Sequence, residues 1–471
     1  VIVTARRLAA RAAAGAALLV ALGTPSLGAV ALGTPPFGTQ PSDSGALSAD
    51  DSSPVQDLTP IKATVDFPVG VAIDARETIG APSELLLRHF TQVTAENAMK
   101  PEAWYDASRQ FSPSPEIASL MDFAAANELR VYGHVLVWHS QIPAWFFERD
   151  DGTPLTASPE DQQTLRDRMH DHIFAVAKYL SDNWGAFGGG NPVVAFDVVN
   201  EAVADDGSGD LGMRQTAWYR VLGERYVDLA FQYADEAFNA TYAAPNTNRP
   251  VTLFINDYNT DQAGKRANYL ALIDRLLARG VPITGIGHQF HVSLEVPVTN
   301  LGDALDDSGG RGLVQAVTEM DVPTGTPPSD AKFLDQGYYY RDAFRIFREH
   351  SDELFSVTVW GLYDARSWRD GQGGPLIFDD ALQAKPAYYG IVEGHSDEAP
   401  VAVNVGGRGS TSPWLYVAGA GFLVALGAGW LALGRHLSVG VARRAKARDD
   451  AGVSADEALA TLTRKLPPSV R

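Results

Sequence analysis

The sequence has no cysteine. Disulfides, zinc-thiolate sites and cysteine nucleophiles are therefore excluded. Many secreted proteins rely on disulfides, but a chain of 471 residues holds a core large enough to do without them. Basic residues are also scarce, 38 against 57 acidic, for a net charge of −19. Phosphate backbones would be repelled, so nucleic acid is not an expected partner. The length is too great for one small domain and suits one large domain with appendages.

The appendages lie at the two ends. Residues 1–31 read as an export signal. Arg6, Arg7 and Arg11 precede the apolar stretch from Ala12 to Leu22, and Ala29-Val30-Ala31 offers a small-residue cleavage site. The stretch is short and is broken by Gly23 and Pro25, which argues against a spanning helix. The Arg6-Arg7 pair raises a twin-arginine route as the minority alternative. Residues 32–58, rich in Pro, Ser, Gly and Asp, read as a disordered linker. At the far end, 394–412 form a spacer and 413–434 read as a transmembrane helix. Leu415 to Leu433 carry no charge and would span roughly 28 Å at about 1.5 Å per residue. Arg435, Arg443, Arg444, Lys446 and Arg448 follow, which assigns 435–471 to the cytoplasm. The expected location is the external face of the membrane, with a single C-terminal anchor.

Between them, residues 59–393 alternate short apolar runs with helical patterns. Candidate strands are Gly70–Ile73, Val93–Glu96, Arg130–Val137, Val193–Val199, Thr252–Asn256, Gly285–Gln289, Ala316–Glu319 and Ser356–Trp360. The clearest helical periods cover Asp161–Leu180 and Thr216–Asn239. Strand–helix alternation implies parallel βαβ units. Eight of them imply an α/β fold, a closed (β/α)8 TIM barrel, with its site at the C-terminal ends of the strands. Polar and aromatic residues collect at those ends: Glu96, Asn97 and Lys100; His134, Trp138 and His139; Asn200 and Glu201; Gln289 and His291; Glu319 and Asp321; Trp360. Taken singly, each reads as structural; converging on one face, they read as a site. Two strands that end in glutamate, Glu201 and Glu319, aim two acids at one place, the machinery of glycoside hydrolysis.

Several blocks resemble one family. They are Thr94-Ala95-Glu96-Asn97-Ala98-Met99-Lys100-Pro101-Glu102, Gly133-His134-Val135-Leu136-Val137-Trp138-His139-Ser140-Gln141, Asp197-Val198-Val199-Asn200-Glu201-Ala202, Gly287-His288-Gln289-Phe290-His291, Thr318-Glu319-Met320-Asp321 and Trp360-Gly361-Leu362-Tyr363-Asp364, with Ser367-Trp368-Arg369 behind. Together they resemble glycoside hydrolase family 10, the endo-β-1,4-xylanases. Met320 stands where that family usually has Leu, a nearly volume-conserving change. The resemblance implies retaining hydrolysis of xylan, with Glu201 as acid/base and Glu319 as nucleophile. It implies that His291 keeps Glu319 ionised and that Asn200 holds the sugar 2-hydroxyl. Asn97, Lys100, His134, Trp138, Gln289 and Gln141 would bind sugars on the non-reducing side of the cut. Trp360 and Trp368 would wall the subsite at the cut, each indole offering one N–H, and exclude glucose by clash with its hydroxymethyl group. Tyr258 is open between contact with the leaving sugar and packing at the barrel mouth, and Glu96 and Asp321 are expected to organise hydrogen bonds. No cofactor or metal is implied. The expected partners are xylan or xylo-oligosaccharides and the membrane, and a monomer is expected. Rival readings are a β-1,4-glucanase or mixed-linkage enzyme on the same barrel, a glycan-binding barrel without catalysis, and a structural envelope protein.

Overall fold

The computed structural model describes residues 55–394. The expected export signal at 1–31, the transmembrane segment at 413–434, the basic tail and nearly all of the linker and spacer lie outside the described residues. Eight strands form: β1 (Val69–Ile73), β2 (Gln92–Ala95), β3 (Arg130–Val137), β4 (Val193–Asn200), β5 (Thr252–Asp257), β6 (Gly285–His288), β7 (Val314–Met320) and β8 (Leu354–Val359). Each pairs in parallel with the next, and β8 closes on β1. Nearly every strand residue is buried, as expected of strands covered on both faces. The connecting helices are α1 (Gly80–His89), α2 (Pro115–Ala126), α3 (Pro159–Trp184), α4 (Ala217–Leu222), α5 (Arg225–Glu236), α6 (Ala263–Ala278), α7 (Thr299–Ser308), α8 (Asp330–Glu349) and α9 (Pro386–Glu393).

The helical period at Asp161–Leu180 extends outward to Pro159 and Trp184, because Ser158 caps the start by accepting from Asp161 N–H at 3.3 Å. The single helix expected over Thr216–Asn239 is instead two. Gly223 adopts φ of 63°, and its N–H donates to Tyr219 O at 2.8 Å, which ends α4. Apolar spacing continues across this break, so periodicity alone hides it. β7 includes both Glu319 and Met320, whereas the sequence pattern ends the strand at Glu319.

Among the described residues no helix is long and apolar enough to cross a membrane. α3 has the length, at 26 residues, but charged groups recur along it.

The floor of the barrel is filled by alternating large and small side chains, Tyr132, Ala195, Phe254 and Ala316. Above it the interior turns polar. Tyr132 donates its hydroxyl to Asp197 Oδ1 at 2.7 Å, and His134 Nδ1 lies 2.8 Å from Asp197 Oδ2. The ladder then shifts register near the strand ends: between His134 and Val137 on β3, between Asp197 and Val199 on β4, and between Val317 and Met320 on β7. Such irregularities break strict alternation and re-aim side chains. Here they fall beside His134, Asn200 and Glu319.

The floor also constrains β6. A Cβ built on Gly285 would fall 2.3 Å from Phe254 Cε1. Gly285→Ala should therefore lower stability by about 1–3 kcal/mol through overpacking. A lower urea midpoint at unchanged slope is the expected result; an unchanged midpoint would show that the floor can give way.

Candidate active site

Glu201 follows β4 directly and adopts φ of 57°, left-handed for a residue with a side chain. Its N–H donates to Asn256 O at 2.8 Å. Its Oε1 accepts from Gln289 Nε2 at 3.3 Å and lies 3.4 Å from Asn200 Nδ2, while Oε2 lies 3.7 Å from His139 Nε2.

Glu319 is buried. Its Oε1 accepts from Asn256 Nδ2 at 2.8 Å, and its Oε2 from His291 Nε2 at 3.1 Å. Burial alone would raise its pKa. The charge of His134, the hydrogen bond and charge of His291, and Lys100 outweigh burial, so Glu319 sits below the usual carboxylate range.

Three amides join the two acids. Gln289 Nε2 bonds both Glu201 Oε1 and, at 3.1 Å, Asn200 Oδ1. Asn256 Nδ2 bonds that same Asn200 oxygen at 3.1 Å as well as Glu319. Thr318 Oγ1 donates to Asn256 Oδ1 at 2.8 Å, fixing which way that amide faces.

Behind Glu319 the charges alternate. His291 Nδ1 donates to Asp321 Oδ2 at 2.8 Å. Asp321 also accepts from Arg369 Nη1 at 2.6 Å and from Trp368 Nε1 at 3.0 Å. Burial opposes a charge on His291, but Asp321 and Glu319 more than compensate and hold its pKa at about 10. Both ring nitrogens then donate.

Asn97 Oδ1 accepts from Lys100 Nζ at 2.9 Å and from Gln141 Nε2 at 3.3 Å. The Lys100 ammonium stands 5.2 Å from the Trp138 ring centre. Burial lowers the pKa of Lys100 against the pull of Glu319, Glu96 and Glu201. His134 lies between Trp138 and Trp360, 6.2 and 5.2 Å away by ring centres. Trp138 Nε1 and His139 Nδ1 are buried without a hydrogen-bond partner among the described residues. Trp360 is buried and lies 6.3 Å from His291, whereas Trp368 is 59% exposed and lies 5.0 Å from His291. The Trp368 N–H is donated to Asp321. Tyr258 is tied by its hydroxyl to Asp205 and Arg214. Asp321 organises hydrogen bonds as expected, and burial raises the pKa of Glu96.

Asp197, Asn256 and Arg369 join the site without having been assigned a part in it from the sequence. Asn256 ends a candidate strand, the same signal that selected Asn200. His134, Asp197 and Glu319 bring one ligand atom each within 4.8 Å of one another. His134 and Asp197 already bond each other and both Glu319 oxygens accept, so hydrogen bonding accounts for the cluster.

A parallel barrel whose strand ends carry two linked carboxylates has the architecture of a barrel glycosidase. The family described as Glycosyl hydrolase family 10 matches residues 60–394, and the chain belongs to that family. It is 34% identical over 330 residues to "Exoglucanase XynX" of Acetivibrio thermocellus, a match covering 69% of this chain and 28% of that protein. It is 31% identical over 343 residues to "Endo-1,4-beta-xylanase A" of Caldicellulosiruptor saccharolyticus, covering 69% of this chain and 92% of that protein. The chain spans less than a third of the length of several relatives, at 28%, 27% and 30%. Among solved structures, TsXylA of Thermoanaerobacterium saccharolyticum, titled an intracellular xylanase and captured as a mutant with xylotetraose, superposes with a TM-score of 0.65. It is 32% identical, and the match covers 72% of this chain and 100% of that one. The extracellular, membrane-anchored location expected from the sequence finds no support: that neighbour is titled intracellular, and among the described residues no helix is long and apolar enough to cross a membrane. The expectation came from two apolar runs read apart from any fold.

His291 provides a test of the electrostatics. Its pKa is raised from 6.5 to about 10. The stability it contributes is complete below the ordinary value and is lost as pH climbs from there towards 10. Its ring NMR signals should stay flat between about pH 5 and 8, where an ordinary histidine changes charge. Titration inside that window would show a neutral ring beside Glu319.

Proposed function

We propose that this chain cleaves internal β-1,4 bonds of xylan with net retention, using Glu319 as nucleophile and Glu201 as acid/base. The observation that carries the reading is the contrast between the two linked acids. Both oxygens of Glu319 accept from donors, one of them a charged histidine. Such a carboxylate is held ionised for attack. The Glu201 carboxylate is met instead by the amides of Gln289 and Asn200 and by His139. In a retaining pair the carboxyl groups stand about 5–5.5 Å apart, leaving no room for an activated water between them.

The first displacement forms a bond from a Glu319 oxygen to the anomeric carbon. The bond to the leaving oxygen breaks, and Glu201 gives that oxygen its proton. Glycosylation removes the negative charge of Glu319. Water then attacks the anomeric carbon, Glu201 takes its proton, and the ester bond breaks to regenerate the Glu319 carboxylate. Asn200 Oδ1 is engaged by two amides, so its Nδ2 is the donor offered to the sugar 2-hydroxyl, a contact that strengthens in the transition state.

Asn97, Lys100, Gln141, His134, Trp138 and Gln289 bind the sugars on the non-reducing side. The unpartnered Trp138 Nε1 suits a hydroxyl that arrives with the substrate, since a buried N–H left unpaired is costly. Trp360 and Trp368 wall the subsite at the cut and present faces to the apolar side of a pyranose. The proposed catalytic domain spans residues 59–393, acts without a cofactor, and works as a monomer on xylan or xylo-oligosaccharides.

One relative carries the name exoglucanase, which favours β-1,4-glucan as a second substrate. The ratio of kcat/KM on xylan to that on soluble cellulose decides between the two.

Glu319→Ala tests the mechanism. It should lower kcat by on the order of 10⁵-fold or more, the scale of losing a covalent nucleophile. Azide or formate should restore turnover of an activated aryl xylobioside and give an α-configured product. Unimpaired hydrolysis, or a rescued β product, would remove the assignment.

A further inference from the structure

We propose that Arg214 is a positioning residue for Glu201, holding the main chain on which that carboxylate is mounted; this rests on the reading of Glu201 as proton donor. A side-chain-bearing residue at φ of 57° is strained and persists only where its surroundings fix it. Upstream, the Glu201 N–H is fixed by Asn256 O. Downstream, three successive carbonyls all accept from Arg214. Glu201 O takes Arg214 Nε at 3.0 Å, Ala202 O takes the Arg214 main-chain N–H at 2.8 Å, and Val203 O takes Nη2 at 3.1 Å. The guanidinium thus grips both ends of the turn that leaves β4.

The grip is anchored in turn. Arg214 Nη2 also donates to Tyr258 Oη at 2.8 Å and lies 3.4 Å from Asp205 Oδ2. Tyr258 donates its hydroxyl to Asp205. Lys265 is fully buried, pairs with Asp205 Oδ1 at 2.6 Å and Asp257 Oδ1 at 2.8 Å, and lies 3.6 Å from the Tyr258 ring centre. Asp257 Oδ2 accepts the Val203 N–H at 3.0 Å. The turn is therefore held on its carbonyl side by Arg214 and on its amide side by Asp257. None of these groups other than Glu201 is required to touch the scissile bond. Their effect is to keep the Glu201 carboxyl aimed.

Such a role predicts a specific kinetic pattern. If Glu201 is misaimed, substrates that need a proton on the leaving oxygen suffer, and those with good leaving groups are spared. Arg214→Met and Arg214→Lys should be compared with Glu201→Ala on aryl β-xylobiosides from dinitrophenyl to phenyl. In both Arg214 variants kcat/KM on the phenyl substrate should fall at least about tenfold further than on the dinitrophenyl one, part of the roughly 10²–10⁴-fold that general acid catalysis supplies. Lysine should not rescue, because a single ammonium cannot reproduce the fork to two carbonyls. A parallel loss on both substrates, or full rescue by lysine, would overturn the proposal. If Glu201→Ala is selective and the Arg214 variants are not, Arg214 is not a positioning residue. If Glu201→Ala itself shows no selectivity, the reading of Glu201 as acid fails. Retained dinitrophenyl turnover reports folding, and if neither Arg214 variant folds, Arg214 serves stability and the proposal falls.

Discussion

A buried carboxylate must be compensated, and in this barrel that demand organises the site. Glu319 is closed off from water and would be driven to take up a proton by burial alone. It is held ionised by the charges of His134 and Lys100 and by a row of alternating charge: Glu319, His291, Asp321, Arg369. Each member is the counter-charge of the next. Removing an inner member would leave its neighbour buried and unpaired, which costs several times what a surface pair is worth. The row also fixes aromatic geometry, since Trp368 takes its orientation from Asp321.

The second acid depends on the first through amides. Asn256 touches Glu319, Asn200 and, at 3.4 Å, Asp197, so one side chain ties the floor of the site to its reactive edge. The shifts in ladder register beside His134, Asn200 and Glu319 let neighbouring residues face the cleft, which a regular strand with period-two alternation would forbid. The left-handed turn at Glu201 does the same for the residue after β4. Regular strands supply rigidity, and their irregular ends supply aim.

The barrel was largely legible in the sequence because buried parallel strands are short β-branched runs, and all eight were found with ends misplaced by only a few residues. Glu201, Glu319, Asn200, Gln289 and His291 were legible as polar groups closing such runs. Arg214, Lys265 and Arg369 were not. They sit in loops and on α6, where a basic residue looks like any solvated one, and only tertiary placement reveals that Lys265 is fully buried between two aspartates. The break at Gly223 escaped because apolar spacing runs through it. The commitment of the Trp368 N–H to Asp321 escaped because sequence spacing carries no side-chain direction. The location inferred from the terminal runs drew on segments outside the described residues.

The central claim is that Glu319 is the group that bonds to sugar. The most direct measurement is mass spectrometry of the protein after inactivation with an activated 2-deoxy-2-fluoro-xylobioside, followed by peptide mapping. The fluorine destabilises the oxocarbenium-like transition states of both steps while the good leaving group keeps the first one accessible, so the glycosyl-enzyme accumulates. A single label on Glu319 is the result this account predicts. A label on Glu201, or steady turnover with no label at all, would contradict it.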